Sequence, residues 1–272
     1  TGNAGGGAVM TGKCSPVLIG NTFTANGFVG VGVKEASKPF LLDNTIESNN
    51  GYGLLMQATS AVQLQGCRLT SNQRAGICVC DEAHLVMHGC TLEPSLVAAK
   101  ADEQVVGVLL HDKSTAVIQK SVLRNHKVAN IVMQDFSVAT LTCTELTSNG
   151  NGPIASAYGL KMSGNSCANV RHNTFSEHKE AHVMVLDYAS IRASHNAMLD
   201  GHGCGVKAVC NAHCSLAHNL ILGNLGTGVE VRGRGLLEMR ANRLSANAQF
   251  GVLADGFVCK LKANVVFGNQ LE

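Results

Sequence analysis

The sequence has no tryptophan, three tyrosines and four prolines, and only 15% of its 272 residues are charged. The scarcity of aromatic rings removes the stacking platforms on which sugar clefts commonly hold their ligands. Carbohydrate is thus possible as a partner but disfavoured. No apolar run approaches the roughly 18 residues of a membrane-spanning helix, so no membrane role is expected. Neither sign of charge is in excess: 21 basic against 19 acidic residues give a net charge of +2. A general nucleic-acid footprint would need a basic excess, and none is visible. No asparagine begins an Asn-x-Ser/Thr acceptor, and the eleven cysteines show no recurring Cys-x-x-Cys spacing. Free cysteine behaves as a small buried hydrophobe, and its use here points to a reducing, intracellular compartment, cytoplasmic or cytoskeletal. No cofactor motif is present, and no cofactor is expected.

What the chain does have is a repeat. One column runs Asn21, Asn44, Cys67, Cys90, Ser121, Thr144, Asn173, Asn196, Asn219, Asn242 and Asn264. The step is 23 residues, lengthened to 31 after Cys90 and to 29 after Thr144, and shortened to 22 at the end. A fixed period of this length marks a stacked solenoid. Within each repeat, pairs of apolar positions two residues apart, such as Val229 and Val231 or Leu237 and Met239, have the spacing of strands with one buried face. A third strand follows the Asn column at positions such as Leu244 and Ile221. The fold class is therefore all-β: a right-handed parallel β-helix of about 11 coils, three short strands per coil, forming one domain over residues 1–272. Neither end carries a cap, so the chain is expected to be a piece of a longer protein.

The Asn column sits at the bend after the second strand, where stacked amides can bond one another and the bend backbone. Asn21, Asn44, Asn173, Asn196, Asn219, Asn242 and Asn264 are the expected structural ladder. A second column (Asn26, Asn49, Asn72, Ser95, His126, Asn149, His178, Gly201, Asn224, Asn247, Asn269) marks the next turn, expected to lie nearer solvent. Gly7, Gly30, Gly53, Gly107, Gly159, Gly205 and Gly228 open the first strand, with Asn130 and His182 in two coils. Glycine there suits a turn residue of positive φ.

Three features are candidates for function. The first is an apolar strip on the outward side of the first strand: Leu55, Cys78, Leu109 and Val132, one per coil. Exposed strips of this kind are usually covered by something, and a protein partner is expected there. The next outward column softens it with Gln57, Cys80, His111 and Gln134. The second is an acidic column at the following turn, of which Asp81, Asp112 and Asp135 fall on consecutive coils. These could hold a hard cation or work as an acid/base pair; Asp also accepts turn hydrogen bonds, the favoured reading, so no metal is expected. The two enlarged turns, at residues 95–105 and 150–158, flank the same strand. The third is a stack of His172, His195 and His218 beside Arg171, Arg192, Arg240, Lys260 and Lys262, where an anion could settle. Three imidazoles in a straight row do not converge on a tetrahedral metal.

The run GRGLLEMRANRLSANAQFGVLADG, residues 233–256, resembles the β-helix repeats of F-box-only ubiquitin-ligase subunits, of the carbohydrate-binding and sugar-hydrolase repeat type. The shared features are Gly-Leu-Leu-Glu at residues 235–238, Asn242, Asn247 and Phe-Gly-Val-Leu at residues 250–253. In those relatives the β-helix recruits a protein substrate; no F-box stands in this sequence. Asp200-Gly201-His202-Gly203 resembles the Gly-His-Gly piece of polygalacturonases, but the sequence has no Asp-Asp pair to accompany it. The expected function is a non-catalytic protein-recognition or scaffolding module of a larger protein. The alternatives are a polysaccharide-active β-helix enzyme (lyase, hydrolase or epimerase) and a structural spacer in a cytoskeletal assembly.

Overall fold

The computed structural model describes residues 1–94, 106–149 and 155–271. Three parallel sheets of eleven strands each wind into a solenoid. Each coil contributes one strand to each sheet, for example Ala75–Val79 to the first, His84–His88 to the second and Thr91–Glu93 to the third. Equivalent positions of successive coils pair in register: Ile77 lies between Leu54 and Val108, and Met87 between Leu64 and Ile118. That register stacks the apolar columns directly over one another, and Val31, Leu54, Ile77, Val108, Ile131, Leu160, Val183, Val206 and Val229 are all fully buried. The enlarged turn at residues 95–105 lies outside the described residues, as does the Ser95 position of the second Asn column and most of the turn at 150–158.

The Asn column forms the expected ladder. Asn219 is typical: its Nδ2 donates to Ala193 O (2.9 Å) and to Asn242 Oδ1 (3.0 Å), while its Oδ1 accepts from the Asn196 backbone N–H and Nδ2, both at 3.0 Å. The corner needs these bonds because the residue before it, His218 for Asn219, is in the left-handed region (φ 56°) and takes the backbone out of the sheet ladder. In mid-chain, smaller groups fill the column. Cys67 Sγ donates to Leu41 O at 3.4 Å, Ser121 Oγ accepts from Cys90 N–H at 3.2 Å, and Thr144 N–H reaches Asn173 Oδ1 at 2.8 Å. Cys67 and Cys90 are buried and free.

The second Asn column is not nearer solvent. Asn26, Asn49, Asn72, Asn224 and Asn247 are fully buried and bond one another through the same amide pattern. This burial also corrects the reason for the Gly column. Gly7, Gly30, Gly53, Gly159, Gly205 and Gly228 are not among the glycines with positive φ. They are glycines because a Cβ there would meet the buried ladder: at Gly53 it would lie 2.7 Å from Asn72 Nδ2 and 2.5 Å from Gly76 O.

Where that ladder is interrupted, the Gly column supplies the missing side chain. Asn149 is exposed and Gly201 has no side chain, and in the same two coils Asn130 and His182 replace glycine. The result is a buried one-way chain. His126 Nδ1 bonds Asn130 Oδ1 (2.8 Å), Asn130 Nδ2 donates to His178 Nε2 (3.1 Å), His178 Nδ1 to His182 Nδ1 (2.8 Å), and His182 Nε2 to Asn224 Oδ1 (2.9 Å). The amide of Asn130 fixes each tautomer in turn, so His178 and His182 are neutral, while burial disfavours the charged form of His126.

Candidate functional site

The acidic column lies at an exposed turn after the first sheet. Glu35, Asp81, Asp112, Asp135 and Asp187 are all in the left-handed region, φ 56–58°. Each aspartate carboxylate accepts from the backbone N–H at the same position of the preceding coil: Asp81 from Ala58 (2.7 Å), Asp112 from Asp81 (3.1 Å), Asp135 from Asp112 (3.1 Å) and Asp187 from Gly164 (3.0 Å). The favoured turn-acceptor reading thus describes their hydrogen bonds. Sequence reasoning missed the neighbour that matters: His111 Nδ1 sits 2.7 Å from Asp112 Oδ2. Potential ligand atoms of His111, Asp112 and Asp135 lie within 4.8 Å of one another, on an exposed surface where backbone amides already occupy one oxygen of each carboxylate.

The apolar strip is in place but not open. Cys78 is the register partner of Leu55 on one side and Leu109 on the other, and Leu109 pairs with Val132. Leu55, Cys78 and Val132 are, however, only 8%, 2% and 6% exposed, and Leu109 is half-buried. They pack in outer clusters with Val29, Cys80, Tyr52, Val106 and Tyr158. The expectation of a solvent-facing docking strip fails because the first sheet's outward face carries a second, smaller core.

The open, polar surface is the outer face of the second sheet. A groove of about 300 Å³ runs across five strands and is lined by Thr140, Asn169, Arg192, His213, Ser215 and Glu238 among others. Strand register sets Asn169, Arg192, Ser215, Glu238 and Lys260 in one row along the solenoid axis, at about 4.8 Å per strand. Glu238 Oε1 accepts from Lys260 Nζ at 2.9 Å, and that hydrogen bond and charge hold its carboxyl below the usual range. Arg171, Arg240 and Lys262 stand in the next outward row. At the adjoining corner the exposed rings of His172, His195 and His218 stack with centroids 5.0 Å apart. This row runs along the axis rather than converging, as expected from the sequence. Cys214, by contrast, is fully buried in the core and belongs to no surface cluster.

The family model described as right handed beta helix region matches residues 1–98 and 106–266. No curated protein matches the sequence significantly. Among solved structures the chain is similar to PfbA, a surface adhesin of Streptococcus pneumoniae, with a TM-score of 0.56 and 10% identity, covering 89% of this chain and 63% of the adhesin. It is also similar to the periplasmic alginate epimerase AlgG (TM-score 0.52, 8% identity, 87% of this chain and 76% of that one). A third is the A-module of the Azotobacter vinelandii mannuronan C-5 epimerase AlgE4 (TM-score 0.50, 12% identity, 87% and 88%). At these identities the likeness shows the fold, and the chain spans less than two thirds of the adhesin. Two of the three are nonetheless epimerases of polysaccharides. The expectation of a non-catalytic protein-recognition module, with a protein partner and carbohydrate disfavoured, is overturned by these likenesses. The scarcity of aromatics carries too much weight in that expectation, because the groove offers charged and hydrogen-bonding groups where rings are missing. The F-box kinship is not shown by any of these comparisons.

Proposed function

As the chain belongs to the right-handed β-helix region family, we propose that it is a polysaccharide-active β-helix whose glycan lies along the outer groove of the second sheet. The observation that carries this reading is the row Asn169, Arg192, Ser215, Glu238 and Lys260, one polar group per coil, beside a row that runs Arg171, Ser194, Ala217, Arg240 and Lys262. A polymer of acidic sugars suits such a track: guanidinium groups pair bidentately with carboxylates, and neutral groups between them serve hydroxyls. Paired-carboxylate hydrolysis is not supported, because it needs two carboxyl groups flanking one bond, and Glu238 is the one carboxylate among the described residues lining the groove. Glu238 is also kept ionised by Lys260, which makes it an acceptor rather than an acid. Abstraction of the proton next to a uronate carboxylate fits better, with Arg192 drawing charge onto that carboxylate and His213 as the base.

Titration calorimetry with uronate oligosaccharides and with neutral glucans of equal length tests this. Uronates are expected to bind, and Arg192→Ala to weaken them at least tenfold with an unchanged melting temperature. Equal binding of neutral glucans, or unchanged uronate affinity in the folded variant, overturns the reading. Ultraviolet absorbance of unsaturated products and proton NMR of the incubated polymer then separate elimination from epimerisation.

A further inference from the structure

We propose that the edge of the groove along the corner between the first and second sheets is a stacking subsite, where Phe136 and Tyr188 hold alternate sugars of the glycan by their C–H faces. The inference rests on the second-sheet groove being the glycan track and adds how the chain is gripped there. Phe136 and Tyr188 are 61% and 65% exposed. Large aromatic side chains ordinarily hide most of their surface, and most other large apolar side chains this exposed belong to the first or last coil. These two stand in mid-solenoid, in one row. A ladder of backbone bonds holds that row: Phe136 N–H donates to Asp112 O (2.9 Å), Asn165 N–H to Asp135 O (2.7 Å), Tyr188 N–H to Gly164 O (3.0 Å) and Asn211 N–H to Asp187 O (2.9 Å). The row therefore reads Phe136, Asn165, Tyr188, Asn211, ring and amide by turns, and all four are exposed.

Each member of the row leads into the groove. Two residues on from these four come Val138, Cys167, Ser190 and His213, which line it. The residues between, Ser137, Ser166, Ala189 and Ala212, are fully buried. Side chains two apart in extended backbone share a face, so rim and lining turn to the same outer side. No phenylalanine or tyrosine is among the described residues lining the groove, and the rim supplies the rings that the lining lacks.

The spacing selects the ligand. The two rings are two coils apart, roughly 10 Å at the strand spacing of a sheet. In an extended pyranose chain with a two-fold twist, every second sugar presents the same face. That face carries C–H groups and lies flat on an aromatic ring, whose apolar area it covers. The sugar between the rings turns hydroxyls toward Asn165, whose amide both donates and accepts. Carboxylates on the far edge of the chain then face Arg192 in the groove. A chain of other twist loses register with the row after one ring.

Tyrosine fluorescence reads the rim directly, because the sequence has no tryptophan and Tyr188 is the exposed one of its three tyrosines. A uronate tetrasaccharide titrated into wild type is expected to change that emission, and a disaccharide, too short for both rings, to bind more weakly. Phe136→Ala and Tyr188→Ala should each weaken the tetrasaccharide about fivefold, with unchanged melting temperatures. Tyr188→Phe keeps the ring and should keep the affinity. Unchanged affinity in both alanine variants, with Arg192→Ala still weakening binding, overturns the subsite and leaves the track standing. Neutral glucan binding that Tyr188→Ala weakens, without uronate binding, upholds the subsite and overturns the uronate reading. Wild type that binds neither glycan overturns the subsite, as does sedimentation showing that the rings hold a second copy of the chain, lost in the alanine variants.

Discussion

The two ladders of this solenoid solve the same problem in different ways. At the corner after the second sheet, interruptions in the Asn column are filled in place: Cys67, Cys90, Ser121 and Thr144 each reach a backbone group or the next rung. At the corner after the third sheet they are filled from the neighbouring Gly column, by Asn130 and His182. The difference is one of room. The first corner has its own backbone carbonyls within reach of a short hydroxyl or thiol. The second lies against the Gly column, where in each described pair either the glycine position or the rung position carries the inward side chain, not both. Gly201 shows the reciprocity: a Cβ there would lie 2.7 Å from Asn224 Oδ1 and 2.8 Å from His182 Nε2.

Acid should break the comparison most sharply. Burial lowers His126 and His182 from the ordinary 6.5 to about 4, and burial together with the His182 ring lowers His178 well below its ordinary value. Protonation of His178 or His182 would set two donors face to face in the one-way chain, and that of His126 would bury a charge. The native state then binds fewer protons than the unfolded state, so stability rises with pH. The stabilisation is complete above pH 6.5 and is lost as pH falls to about 4, on the order of 3 kcal/mol each for His126 and His182. The rungs of the other corner are amides, hydroxyls and two thiols; Cys67, which its contact with Cys90 lowers to about 7, titrates only at the upper edge of this window. Urea melts from pH 7 to pH 4 should show the loss, and amide exchange should place the first opening around residues 126–182. A flat profile, or opening first at Asn173–Asn242 backbone positions, would contradict it.

Truncating one rung at each corner comes next in size. Asn219→Ala removes four hydrogen bonds and strands buried partners, at a cost of about 3 kcal/mol. Asn224→Ala should cost about the same, since it is equally buried and also accepts from His182. A much smaller loss at Asn224 in denaturant midpoints would restore the expectation that this corner is nearer solvent.

The reciprocity itself can be tested by exchange. Gly201→Asn alone should destabilise by collision with His182, and His182→Gly alone by loss of the rung. The double variant rebuilds the ordinary pattern of the other coils and should recover about 2 kcal/mol relative to the sum of the singles. Additive losses would mean that the two positions do not exchange.

Much of this is legible in the sequence. Period-2 apolar columns and the 23-residue step specify which side chains face inward, and register follows because a one-residue slip would turn every strand inside out. The Gly column is visible too, but its cause is not: Gly53 and Asn72 are 19 residues apart and meet only when the coil closes. Cys78 and His111 are 33 residues apart, across the enlarged coil, so the normal step does not pair them. The groove is hidden for another reason. Asn169, Arg192 and Ser215 look like any solvated strand face, and only their alignment in one row distinguishes them. The earlier coils present Val17, Phe40, Gln63, Val86 and Val117 in the same row, apolar in four of five, so the polar track belongs to the later coils.

The remaining corner, between the first and second sheets, supplies the smallest effect. Its inner column is Ser37, Ser60, Ala83, Ser114, Ser137, Ser166, Ala189 and Ala212, all fully buried. The hydroxyls of Ser60, Ser114, Ser137 and Ser166 have no hydrogen-bond partner among the described residues, whereas Ser37 Oγ accepts from Cys14 Sγ at 3.4 Å. A buried hydroxyl without a partner costs roughly 1 kcal/mol or more relative to a methyl group. The chain already tolerates alanine at three coils of this column, so the backbone does not need the oxygen. Ser137→Ala should therefore raise stability by up to about 1 kcal/mol, while Ser37→Ala should be neutral or slightly destabilising. Paired urea midpoints measure both. If Ser137→Ala lowers the midpoint as Ser37→Ala does, the serine column is a third ladder, and all three corners are held by side-chain hydrogen bonds.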